Sequence, residues 1–387
     1  MADSCDNLEA QLRESFCFAE VNLANYAHNL AQIRAHLPQN AKILAVIKAN
    51  AYGCGIAEIA KCACECGVYA LGVARMDEAL IVREALPSAK ILILGYTPKE
   101  LLNTAIAHNI ELCVYHKDIA ESISKKAQKQ NKIAQIHIKI DTGMGRIGFL
   151  CDESNAQDSL NIVESIAKLP NIQIAGIFTH FSSADESDLV YTQMQVKRYC
   201  DFVEALKMRG IHDFIRHCSN SAGIFSYPQG IFDMVRVGIV SYGISPLPAL
   251  PANLKPVLSL KARVVHIKTL PKGSAISYGR TFITNAPTRI ATICAGYADG
   301  YSRLLSNKGE VLIRGNRAKV VGNVCMDQLC VDISDIKDAQ IGDSAVLFGV
   351  DEWGNEISAG ELAQKIGTIS YEILCAVSNR VPRIYVR

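Results

Sequence analysis

The stretch Ile43-Leu44-Ala45-Val46-Ile47-Lys48-Ala49-Asn50-Ala51-Tyr52-Gly53-Cys54 decides how this chain is read. Its first five residues are an unbroken apolar run of strand length, the mark of a strand buried on both faces. Lys48 closes the run, and a tight Asn, Ala, Tyr and Gly segment follows, a composition that turns the chain. A lysine at the mouth of a buried strand is partly desolvated, which favours its neutral amine. A neutral, fixed amine can form a Schiff base with a carbonyl cofactor. The competing reading is a lysine that snorkels from a strand end into water. This stretch alone permits both.

Working outward, the first 250 residues alternate strand and helix. Strands are expected at Lys42–Lys48, Val68–Ala74, Lys90–Leu94, Glu111–Tyr115, Gln135–Asp141, Gln173–His180, Phe214–Ser219 and Val235–Tyr242. Amphipathic patterns lie between them, as at Gly55–Cys66, Met76–Leu86, Pro98–His108, Lys117–Lys129 and Val190–Arg209. Eight mostly apolar strands alternating with helices predict a parallel (β/α)8 barrel of the TIM type. An open doubly wound sheet is the alternative, weakened because no Gly-rich dinucleotide fingerprint follows the first strand. After the linker Pro246-Leu247-Pro248-Ala249-Leu250-Pro251 the texture changes to short β-branched runs separated by Gly-containing turns. These predict a mostly antiparallel β domain, so the expected division is 17–250 and 251–387. One helix is expected at Ser358–Ile366, opened by a capping box of Ser358 and Glu361.

The chain has 387 residues, 49% of them hydrophobic and 20% charged, with a formal net charge of +2. Its lysines and arginines are scattered, which argues against a nucleic-acid partner. No stretch reaches about 18 apolar residues, so no membrane span is expected. The 14 cysteines come without a signal peptide, since Met1-Ala2-Asp3-Ser4-Cys5-Asp6 is acidic and polar. Reduced thiols and a cytoplasmic location follow. Cys62, Cys64 and Cys66 invite a zinc reading, but on a helix Cys64 points away from the other two. Their expected role is packing as small hydrophobes, and no metal is expected.

Chemistry in such a barrel collects at the C-terminal strand ends. Lys48 lies there after the first strand. Lys139, Asp141 and Arg146 surround the end of the fifth, and His180 ends the sixth. Asn220 and Ser221 follow the seventh; Arg236 lies in the eighth, with Gly238 after it. The last two strands often build a phosphate site, and Ser219-Asn220-Ser221 would open a short helix whose free N–H groups suit an anion. An amine beside a phosphate site suggests pyridoxal 5′-phosphate, although spacing alone permits any phosphorylated carbonyl compound.

Ala45-Val46-Ile47-Lys48-Ala49-Asn50-Ala51-Tyr52-Gly53 resembles the cofactor-lysine signature of alanine racemases. Lys139-Ile140-Asp141-Thr142-Gly143-Met144-Gly145-Arg146, Asn220-Ser221-Ala222, Ser277-Tyr278-Gly279, Gly296-Tyr297-Ala298-Asp299-Gly300, Cys325-Met326-Asp327 and Tyr371-Glu372-Ile373-Leu374 resemble the same family in the same order. The likeness runs from about Phe18 to Arg387. Cys54 departs from it, standing where the family usually carries His.

The resemblance implies a pyridoxal-phosphate enzyme, a homodimer with shared sites, that interconverts L- and D-alanine and so supplies D-alanine for peptidoglycan. It makes Lys48 the cofactor lysine and one catalytic base. Tyr278, delivered by the partner subunit, is the second base. Tyr52, Ser221, Gly238, Ile239 and Tyr371 hold the phosphate, with Asn220 beside them. Arg236 meets the pyridine nitrogen and His180 links Arg236 to the tyrosine. Arg146 and the Met326 backbone orient the substrate carboxylate, Tyr297 and Tyr371 narrow the entrance, and Asp327 neighbours the pocket. Lys139 is a possible carbamate that would partner Arg146; the plain alternative pairs Lys139 with Asp141. Competing readings are a racemase for another small amino acid such as serine, a decarboxylase on the same plan, and a non-catalytic cofactor carrier. An arginine at the pyridine nitrogen argues against the decarboxylase, and the β domain against the carrier.

Overall fold

A computed structural model describes residues 16–387; Met1 to Asp6, read above for a leader, lies outside them. The first strand, β1 (Cys17–Asn22), precedes α1 (Leu23–Ala35), whose N-cap Asn22 accepts from the Asn25 N–H. Eight parallel strands then form the barrel: β2 (Lys42–Val46), β3 (Ala70–Val73), β4 (Ile91–Ile93), β5 (Glu111–Val114), β6 (Ala134–Asp141), β7 (Ile172–Phe178), β8 (Ile215–His217) and β9 (Met234–Val237). They pair in the order β9-β2-β3-β4-β5-β6-β7-β8. Backbone bonds from Asp233 N to Arg216 O (3.1 Å) and from Arg236 N to Ser219 O (3.0 Å) bridge the remaining seam between β8 and β9. The expected barrel is therefore present.

Helices cover its outside, and their period places the apolar residues inward. In Ile56–Glu65, for example, Ile56, Ile59, Ala60 and Ala63 are buried. Cys62 is buried on this helix too and donates to the Leu23 carbonyl (3.5 Å).

The second unit is a 9-stranded sheet built on β10 (Leu258–Leu270), β11 (Thr288–Ile293), β12 (Glu310–Ile313), β13 (Asn316–Val320), β14 (Leu329–Asp332), β15 (Ser344–Val350), β16 (Glu356–Ile357) and β17 (Arg383–Val386). Its pairings are antiparallel apart from β1 with β17. β1 lies between β10 and β17. Cys17–Asn22, counted with the barrel from sequence, is thus a strand of the second sheet. Half of the expected capping box forms: Ser358 Oγ accepts from the Glu361 N–H (3.0 Å) at the start of Ala359–Ile366, while the Glu361 carboxylate accepts from Arg317 instead.

Where the two units meet, the C-terminal segment clamps the turn after β2. The helix Ser370–Cys375 sits so close that a Cβ on Gly53 would stand 2.4 Å from the Leu374 carbonyl oxygen. Arg383 Nε donates to the Gly53 carbonyl (2.9 Å), and its other nitrogens reach the carbonyls of Val377, Ser378 and Val381. Gly53 also has φ +85°. Gly53→Ala is expected to destabilise the fold by about 2–3 kcal/mol, read as a lowered melting temperature by circular dichroism; an unchanged melt would show that the clamp yields freely.

Candidate active site

The turn that follows β2 is a left-handed one. Ala49, Asn50, Ala51 and Tyr52 have φ of 53°, 52°, 52° and 53°. Such backbone costs about 1–2 kcal/mol per residue in L-amino acids, so it persists only where its surroundings impose it. The surroundings are visible. Glu78 accepts from the Ala49 N–H (2.6 Å) and the Ala74 N–H (2.9 Å), and Asn50 Oδ1 accepts from Ile56 N (2.9 Å). Cys54 is fully buried beneath the turn and does not line the cavity. This arrangement places Lys48 on a cavity of about 610 Å³ at the C-terminal end of the barrel.

The same cavity is lined by Tyr52, Lys139, Arg146, His180, Asn220, Ser221, Arg236, Gly238, Ile239 and Tyr371. Eleven predicted residues, counting Lys48, therefore converge there. Burial lowers the pKa of Lys48, and the nearby Arg146 adds to the effect. Burial, with Arg236 next in weight, brings Lys139 down to about 7. Lys139 does not pair with Asp141. Its Nζ lies 4.5 Å from the centre of the Phe178 ring. Asp141 instead accepts backbone N–H bonds from Gly143, Gly145 and Arg146, shaping the loop that carries Arg146. Among the described residues the Arg146 guanidinium has no hydrogen-bond or ion-pair partner, although it faces the cavity.

Arg236 is held more firmly than any other side chain here. Nη1 donates to the His217 carbonyl (2.8 Å) and to His217 Nδ1 (3.2 Å). Nη2 donates to the carbonyls of Thr179 (2.7 Å) and Cys218 (2.9 Å) and to His180 Nδ1 (3.0 Å). Nε–H is the one guanidinium donor with no partner among the described residues. Burial keeps His180 well below its ordinary pKa, with Arg236 contributing. The ring is therefore neutral; its Nδ1 accepts, so its proton sits on Nε2.

The end expected to hold an anion is a tight backbone approach. A Cβ on Gly238 would lie 2.7 Å from the Tyr52 hydroxyl. Ser221 Oγ accepts from the Gly238 N–H (3.0 Å), and Ile239 opens a 3-10 turn. The first N–H groups of such a turn have no acceptor within it. The Tyr52 ring packs between Tyr242 (4.5 Å) and Tyr371 (6.0 Å). Pyridoxal 5′-phosphate fits this set. Lys48 suits its carbonyl, the free Arg236 Nε–H its ring nitrogen, and the hydroxyl and N–H cradle around Gly238 its phosphate.

Tyr278, Tyr297, Met326 and Asp327 are not brought to this cavity within one copy of the chain. They share a separate surface of the β domain. Ser277 Oγ donates to the Asn323 carbonyl (2.6 Å) and touches Cys325 Sγ (3.4 Å), while Tyr297 N donates to the Cys325 carbonyl (3.0 Å). Tyr278 is 75% exposed, Met326 53% and Tyr297 43%. Asp327 is tied by Arg380 to Asp299, at 2.7 Å on each side.

Sequence reading passed over His137 and His217, which lie buried under Arg236. Their signal was alternation: in β6, His137 and Lys139 are two residues apart, hence on one face of an otherwise apolar strand.

Comparison with known proteins now settles the family. The N-terminal domain model of alanine racemase matches residues 21–246, and the C-terminal domain model matches 257–385. The chain belongs to the alanine racemase family. Alanine racemase of Clostridium novyi is 45% identical over 374 residues, covering 96% of this chain and 95% of that protein. The alanine racemase of Clostridium perfringens strain SM101 is 46% identical over 371 residues, covering 95% of each. Among solved structures, alanine racemase of Clostridium difficile 630 superposes with a TM-score of 0.90 at 40% identity, covering 96% of this chain and 95% of that one. The Bacillus anthracis enzyme with bound L-Ala-P gives 0.89 at 36% identity, with the same coverage. Alanine racemases are isomerases that depend on pyridoxal phosphate, and the residues above suit that cofactor.

Only the neutral Lys48 amine can attack a carbonyl. Its pKa is lowered, so cofactor uptake by the cofactor-free protein should rise with pH and reach its plateau below the ordinary lysine pKa of about 10.4. Stopped-flow absorbance across pH measures this; a midpoint equal to that of an exposed lysine would contradict the site as described.

Proposed function

We propose that this protein interconverts L- and D-alanine with pyridoxal 5′-phosphate, as a homodimer in which each copy completes the other's site. The observation that carries the reading is the pairing of Lys48 with an immobilised Arg236 in one cavity. What the cofactor supplies when bound is electron withdrawal from the substrate's Cα, which makes its proton acidic. An arginine cannot accept a proton. Arg236 therefore offers the ring nitrogen a hydrogen bond and leaves it neutral, which discourages reactions that need a long-lived carbanion, such as transamination. A decarboxylase would want a carboxylate at that position.

Inversion at Cα needs a proton removed on one face and one returned on the other. Lys48 serves one face. Tyr278 of a second copy serves the other, which explains why its ring stands exposed on the β domain. A phenol has an ordinary pKa of about 10, so it needs a stabilising neighbour, and the His180 Nε2–H points to that role. The unpaired Arg146 receives the substrate carboxylate, with the Met326 backbone of the second copy. Tyr297 and Asp327 border the entrance, and with Tyr371 they favour a side chain as small as methyl. The absence of any membrane-crossing helix among the described residues is compatible with a cytoplasmic enzyme supplying D-alanine for peptidoglycan.

Tyr278→Phe should lower kcat about 10²–10⁴-fold while cofactor uptake stays normal; full activity would remove Tyr278 from the reaction. The shared site has its own test. Lys48→Ala and Tyr278→Phe copies, each inactive alone, should recover about one quarter of wild-type activity after random subunit exchange, because half the dimers then hold one intact site of two. No recovery would refute sharing.

Lys139 carries a further part of the reading. Its neutral amine adds to the carbon of carbon dioxide and loses one proton, giving a carbamate anion that partners Arg146. Protonation blocks the reaction, so the carbamate should fade as pH falls through about 7. Carbon-13 NMR with labelled bicarbonate should show one carbamate signal that disappears in Lys139→Ala; its absence from the wild type at pH 8 would refute it.

A further inference from the structure

Beneath Arg236 a line of hydrogen bonds runs down through the barrel to its opposite end. Arg236 Nη1 meets His217 Nδ1 at 3.2 Å, His217 Nε2 meets His137 Nδ1 at 2.9 Å, and His137 Nε2 meets Glu111 Oε2 at 2.8 Å. Both rings are sealed in. The His217 ring stacks on Phe178, 4.7 Å between centres and 5° from parallel, and the His137 side chain is 3% exposed. Room for His137 is made by Gly176 of β7, where a Cβ would stand 2.3 Å from His137 Nδ1. Glu111 opens β5 and stands on the wall of a cavity of about 710 Å³ at the N-terminal end of the barrel, away from the cofactor site.

The two ends of this line have fixed characters. Arginine can only donate, and a carboxylate can only accept. Between them, three contacts need three protons, one from Arg236 and one from each ring, since a second proton on either ring would set two donors against each other along the line. Each ring must then carry its proton on Nε2 and present Nδ1 as an acceptor. A proton on His217 Nδ1 would set two donors against each other at Arg236. Burial, with His137 and Arg236 nearby, keeps His217 neutral, in agreement with that count.

We infer that Glu111 is a positioning residue for the active site: its carboxylate sets the tautomers of His137 and His217 and so keeps an acceptor under Arg236. This rests on the function proposed above only for its kinetic consequence. Without Glu111, His137 is free to move its proton to Nδ1, which turns His217 over and removes one of the bonds that immobilise the guanidinium.

Neutron diffraction from the full chain with cofactor bound tests it, since deuterons are then seen directly and no turnover is involved. The wild type should show deuterons on Nε2 of both rings. Glu111→Leu should show a deuteron on His137 Nδ1, and kcat should fall about tenfold, one buried hydrogen bond's worth, with substrate KM within about twofold. Glu111→Gln, turning its amide oxygen to His137, should keep the wild-type tautomers and rescue kcat. A deuteron on His217 Nδ1 in the wild type overturns the proposal. So does a Glu111→Leu variant with unchanged tautomers, whatever its kcat, or with changed tautomers and unchanged kcat. Should Glu111→Leu not fold, Glu111→Gln decides alone: an amide nitrogen facing His137 Nε2 overturns the proposal. Failure of the racemase reading would show as absent turnover in the wild type and would leave the deuteron positions to be judged separately.

Discussion

Four cationic side chains, Lys48, Lys139, Arg146 and Arg236, line one cavity, and none is paired with a carboxylate among the described residues. Taking positive charge out of water without a counter-ion is costly. The cavity meets that cost in two ways. The two lysines have lowered pKa values, so each can shed its charge. Arg236 cannot be neutralised in this way and is surrounded by carbonyl and imidazole acceptors instead. Arg146, on its loop, remains available. A site so charged is suited to anions, and a phosphate, a substrate carboxylate and a carbamate are the anions that the proposed reaction brings.

Rigidity is the second requirement. Lys48 is aimed by four consecutive left-handed residues, a conformation the segment would not keep alone. Glu78, Asn50 and the C-terminal helix at Gly53 hold it there. The clamp comes from residues more than three hundred positions further along the chain. The same second unit presents Tyr278 and Met326 to solvent rather than to its own barrel, which is why a second copy enters the proposed reaction.

The barrel strands were legible because parallel strands buried on both faces are written as continuous apolar runs, and the turn residues between them are distinctive. Lys48 was legible as the residue closing such a run, but the run alone left a solvated lysine open, and its expected role came from the likeness to alanine racemases. β1 was not assigned: Cys17–Asn22 gains its place only by pairing with Leu258–Leu270 and Arg383–Val386. His137 and His217 were overlooked although their positions were regular, since nothing local distinguishes a histidine satisfied by the core from one aligned under a guanidinium.

Residue type and order alone determined the barrel-then-β architecture and the placing of Lys48 at the end of a buried apolar run. Those properties depend on periodicity and on side-chain chemistry, which are local. Tertiary structure alone decided that Lys139 lies over Phe178 and not beside Asp141. It also decided that Arg236 keeps one free donor, and that Glu111 is joined to it through two buried rings. These depend on which strands become neighbours when the sheet closes, because closure brings side chains distant in sequence within hydrogen-bonding reach of one another.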